Sequence, residues 1–137
     1  MRAFHAYLNF DGNAREAMTF YQQGLGAELE LKSFAEAKMD VPAGAEQRIL
    51  HARLQKGAAV LMASDTMPGH PHIRGTNFSV SIDCESIEEI ERYFKAFSAG
   101  GTIVMPLADT FWNARFGMIT DRFGIGWMFN HELPKQA

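Results

Sequence analysis

Cysteine is almost missing from this chain. Cys84 is the single one, which excludes an internal disulfide and fits a reducing compartment, so the expected location is cytoplasmic. Long apolar runs are missing as well. No stretch approaches the roughly eighteen residues of a membrane-spanning helix, and the opening MRAFHAYLNF is too short and interrupted for a signal peptide. Positive charge is scarce: 13 Lys and Arg stand against 16 Asp and Glu, for a net charge of −3 and a pI near 5.9. With no basic stripe, nucleic acid and anionic membrane are not expected partners. Two motifs are also lacking. No G-x-G-x-x-G follows a strand, which argues against a nucleotide-binding α/β domain, and no G-x-S-x-G marks a nucleophile elbow.

What is present is said nearly twice. Leu8, Phe10, Glu16 and Tyr21 align without a gap on Val80, Ile82, Glu88 and Tyr93, 72 residues further on. Two copies at so long a period point to paired half-domains rather than a solenoid. At 137 residues the chain has one domain's worth of core. It reads as module one over 1–66 and module two over 76–131.

In the first copy, residues 3 to 10 alternate, with Phe4, Ala6, Leu8 and Phe10 on one side and His5, Tyr7 and Asn9 on the other. Asp11-Gly12 turns the chain. Asn13 is the expected helix cap with Glu16 completing a capping box, and Gly24 or Gly26 ends the helix. Strands are expected over 27–34, 48–55 and 58–64, after a loop from Ala35 to Gln47, with a hairpin at Lys56-Gly57. In the second copy a strand starts at Thr76, with Phe78, Val80 and Ile82 as its apolar side and Asn77, Ser79 and Ser81 as its polar side. Ser86 and Glu89 cap the second helix, and strands follow near 101–105, 114–120 and 125–130. Read this way the chain is βαβββ twice, an α+β architecture.

The apolar side of each first strand must cover its helix. The other side, His5/Tyr7/Asn9 and Asn77/Ser79/Ser81, is too polar to be sealed, because buried polar groups need partners. A polar surface supplied by both halves is read as a binding cavity. His51 and Arg53 share one strand face, suited to an anionic group or to a cross-strand pair. His70 and His72 resemble a metal pair but lack neighbouring carboxylates, and a solvated linker explains them better. Cys84 has no His or Lys beside it and reads as inert.

The segments YLNFDGNAREAMTFY (7–21), HARL…VLMASD (51–65) and MPLADTFWNARFGMITDRFGIGWMFN (105–130) resemble the PhnB-like branch of the vicinal oxygen chelate superfamily. That superfamily has the fold of glyoxalase I and bleomycin-resistance proteins, and the branch is often labelled 3-demethylubiquinone methyltransferase-like. The resemblance implies two βαβββ modules forming a cupped mixed sheet with one helix behind each half. It implies a metal-ligand position on each of four strands, here His5, Met62, Asn77 and Met128. Only His5 is a good ligand, so no metal or other cofactor is expected at the usual site. It also brings Trp112 and Arg115 into the cavity, the first as a flat contact and the second as a fork for carboxylate or phosphonate, or the two as a cation–π unit.

The expected function is that of a cytoplasmic small-molecule-binding protein, acting as a homodimer. Its ligand would be flat and partly apolar, held by His5, Tyr7, Asn9, His51, Arg53, Met62, Asn77, Ser79, Trp112, Arg115 and Met128. The alternative is a metal-dependent lyase, isomerase or dioxygenase of the same superfamily.

Overall fold

A computed structural model describes residues 1–135. The chain divides into two compact units, Met1–Ile73 and Arg74–Ala137, the second described up to residue 135. Each contains a four-stranded mixed sheet and one helix, which is the expected α+β class.

The first unit runs β1 (Ala6–Phe10), α1 (Ala14–Leu25), β2 (Glu28–Ser33), β3 (Ile49–Lys56) and β4 (Ala59–Asp65). Its sheet order is β1-β4-β3-β2. The β1/β4 pair is parallel and the other two are antiparallel. Period-two alternation places Leu8, Phe10, Ala52, Leu54, Leu61 and Ala63 under the helix, all buried. The helix answers with Ala14, Ala17, Met18 and Tyr21. Gly26, with φ 64°, closes α1 in the left-handed conformation, and its N–H donates to the Gln22 carbonyl at 2.9 Å.

The start of α1 departs from the sequence reading. The Asn13 side chain makes no cap hydrogen bond. Asp65, from the end of β4 and 3% exposed, takes over. One carboxylate oxygen accepts from the N–H groups of Gly12 at 2.8 Å and Ala14 at 3.0 Å, and the other accepts from Ile49 N–H at 2.8 Å. A carboxylate at a helix start is favoured by the exposed N–H groups and by the helix dipole. Here it also ties the helix to two strands.

The second unit runs β5 (Val80–Asp83), α2 (Ile87–Ser98), β6 (Thr102–Asp109), β7 (Ala114–Thr120) and β8 (Gly126–Glu132), in sheet order β5-β8-β7-β6. Its core is aromatic. Phe97 meets Trp127 edge-on at 4.8 Å and Phe129 at 5.6 Å, and Phe94 meets Phe129 at 5.5 Å. Gly117 makes this packing possible, since a Cβ there would lie 2.7 Å from Phe94 Cε2 and 2.9 Å from Leu107 Cδ2. Ser86 caps α2 as read, its hydroxyl accepting from Glu89 N–H at 3.0 Å. The Glu89 carboxylate accepts from Glu85 N–H at 3.1 Å, one residue earlier than a capping box requires. Asp121 holds the last turn: one oxygen accepts from Phe123 and Ile125 N–H and the other from Trp127 Nε1–H at 2.8 Å.

Both first strands are shorter than the alternation suggested. β1 begins at Ala6 and β5 at Val80. Phe4 and Phe78 lie outside them and are 87% and 55% exposed, so neither joins the apolar face expected of it.

Candidate functional site

With one face of each sheet covered by its helix, the chemistry is left on the other. In the first unit the strand register sets out one full row on that open face. It runs Tyr7, Met62, Arg53, Glu30 across β1, β4, β3 and β2, and beside it stand the pairs Asn9 with Ser64 on β1 and β4 and His51 with Lys32 on β3 and β2. The Tyr7 hydroxyl lies 3.1 Å from His51 Nδ1, with ring centroids 5.8 Å apart, so the two side chains meet over the intervening strand. The hydroxyl donates when that nitrogen carries no proton. Arg53 is exposed and stands opposite Glu30, but no ion pair joins them.

The open face of the second unit is of another kind. Ser81, Met128, Met118 and Met105 form one row across β5, β8, β7 and β6, and Asp83, Asn130, Phe116 and Ala108 form the next. Trp112, 51% exposed in the turn between β6 and β7, sets its ring 5.7 Å from Phe116 and 5.0 Å from Phe111. Met105, Met118 and Phe116 were missed from sequence. The signal was the alternation of β7, in which Phe116 and Met118 share a side opposite Gly117 and Ile119.

The sequence candidates therefore separate. Tyr7, Asn9, His51, Arg53 and Met62 come together on the first open face, while Met128 and Trp112 belong to the second. His5, Asn77 and Ser79 precede their strands and are exposed. Arg115 does not join Trp112. It lies on the helix side of β7, where its Nη1–H donates to Glu91 at 3.1 Å and its Nε–H to Asp109 at 2.9 Å. The hydrogen bond to Asp109, with the charges of both carboxylates, holds its proton more firmly still. A guanidinium already shared by two carboxylates is poorly placed to be a fork for a ligand.

His72 is tied by Nε2 to the Asn9 carbonyl at 3.0 Å. Cys84 is buried. Burial, then the charges of Glu89 and Asp83, pushes its thiol up to about 12, which removes the thiolate a nucleophile requires.

The four positions that the resemblance assigns to a metal offer one imidazole, one amide and two thioethers, a poor set for a hard or borderline divalent ion. Parallel pairing aligns Tyr7, not His5, with Met62. Among the described residues no group of three or more His, Cys, Asp or Glu is placed to hold an ion.

Comparison with known proteins agrees with this architecture. The family model described as 3-demethylubiquinone-9 3-methyltransferase matches residues 2–129. Protein YjdN of Escherichia coli K12 is 38% identical over 136 residues, covering 90% of this chain and 91% of that protein. The crystal structure of PA1353 from Pseudomonas aeruginosa superposes with a TM-score of 0.86 at 43% identity, covering 98% of this chain and 100% of that one. The PhnB protein from Bacillus cereus does so with a TM-score of 0.77 at 26% identity, covering 95% and 99%. The chain thus belongs to the PhnB-like family that carries the 3-demethylubiquinone-9 3-methyltransferase description, within the glyoxalase/bleomycin-resistance fold.

Proposed function

We propose that the chain is a cytoplasmic small-molecule-binding protein that works as a homodimer and uses no metal at the positions its metalloenzyme relatives employ. One observation carries the reading. On the open face of the first sheet, Tyr7, His51 and Arg53 present a phenol, an imidazole and a guanidinium with no ion pair among the described residues. A small number of placed polar groups is what fixes a ligand's orientation in a binding site. Arg53 and His51 suit an anionic group. Methyl transfer, which the family description names, finds no glycine-rich nucleotide loop in the sequence.

A thermal-shift screen of small anionic aromatics against wild type, Arg53→Ala and His51→Ala tests this. A hit should lose about 1–3 kcal/mol of binding in either variant. Unchanged binding in both would remove the proposed site. Elemental analysis of tag-free protein should give no stoichiometric zinc, iron, manganese or nickel, whereas a ratio near one of such a metal, abolished by His5→Ala, would favour a metalloenzyme. Light scattering at micromolar concentration should give twice the mass of one chain, and a single-chain mass would refute the dimer.

A further inference from the structure

We infer that the open face of the second sheet is a binding site for a soft monovalent cation, Cu(I) or Ag(I), held by the thioethers of Met105, Met118 and Met128. Met118 is the register partner of Met128 on β8 and of Met105 on β6, so they occupy three adjacent strands in one row, with Met118 in the middle. Strands lie roughly 4.8 Å apart, so the outer two Cα atoms are about 10 Å from each other. Met side chains have three rotatable bonds and a polarizable sulfur, which lets three sulfurs converge above the central strand.

The row is open enough to be reached. Met105 is 45% exposed, and Met118 and Met128 are each half-buried. A bulge between Ile103 and Met105 sets this register: Ile103 pairs with Ile119 on the helix side, and the extra residue, Val104, swings Met105 to the open face. Without it Met105 would point toward the helix side. The next row adds aromatic surface, with Phe116 under Trp112, where a cation of low charge density is favoured. Thioethers select Cu(I) over hard and borderline divalent ions, so the site differs in chemistry from the His5, Met62, Asn77 and Met128 set, with which it shares Met128 alone. The first sheet offers a single thioether, Met62, in the corresponding rows.

The inference does not rest on the small-molecule reading, and its test shares no readout with the thermal-shift screen. Protein labelled at its methionine methyl groups would be titrated with Ag(I) in chloride-free buffer and followed by NMR. One Ag(I) per chain should shift the methyl signals of Met105, Met118 and Met128 together and leave buried Met18 and the first-unit Met62 in place. Met118→Ile should weaken binding at least roughly tenfold, and Met105→Leu, at a more exposed position, gives the same test if the first variant is unstable. Cys84→Ser should bind as wild type does. Shifts confined to Met1, Met39 or Met67, binding lost in Cys84→Ser, or full affinity in both methionine variants would each overturn the site.

Discussion

The two units share a topology and differ in how they are held together and in what they present. In the first, the helix start is anchored from a distance, by an Asp65 carboxylate fixed at the end of β4. In the second, α2 is capped by its own Ser86, and the buried carboxylate, Asp121, serves a turn instead. The open faces differ in the same spirit. One is polar and charged around Tyr7, His51 and Arg53, and the other is thioether and aromatic around Met118 and Trp112. Duplicated architecture fixes where a face is and leaves its chemistry free, because only the helix-facing residues are bound by the core.

The largest expected effect tests the anchoring contrast. Asp65→Ala strands three N–H groups, two of them at the helix start, and should lower unfolding stability by about 3 kcal/mol. Ser86→Ala removes one local cap and should cost about 1 kcal/mol. Urea denaturation of both variants checks this, and equal losses would break the comparison.

The next effect is pH-dependent and belongs to the second unit alone. The thiol of Cys84 titrates near 12 when folded, against about 8.5 in an unfolded chain. A folded value above the unfolded one means that stability is undiminished below the unfolded value and falls as pH rises from there toward 12. The loss should be of order 1 kcal/mol per pH unit within that window, and Cys84→Ala should flatten it relative to wild type. A matching result is slow thiol alkylation at pH 8 in folded protein. Identical alkaline limbs for the two proteins would mean that the thiol is not buried in solution.

The smallest effect concerns Arg115. Its partners Glu91 and Asp109 are both more than half exposed, so Arg115→Ala should change stability by under about 1 kcal/mol. It should leave ligand binding unaltered while Arg53→Ala weakens it. Equal damage to binding from the two variants would put Arg115 back in the site.

Much of the fold was legible because it is written locally. The alternation of Leu8 and Phe10, the 3.6-residue stripe of Ile90, Phe94 and Phe97, the cap at Ser86 and the turn after Gly26 each need only neighbours in sequence. The candidate site was legible in part. Tyr7 and His51 were named from strand faces, yet nothing in the sequence says that they meet, since that depends on β4 lying between β1 and β3.

What the sequence by itself determined, then, is the pair of βαβββ units, their helices and the apolar side of each first strand, because side-chain periodicity is a property of a single segment. Tertiary structure alone decided three things. Asp65 replaced Asn13 as the cap because β4 ends beside the start of α1. Arg115 went to the helix side because both faces of β7 carry apolar residues, so alternation could not say which one the helix covers. Met105, Met118 and Met128 became one row because strand pairing and a bulge set which residues stand opposite, and no single strand encodes its partner's register.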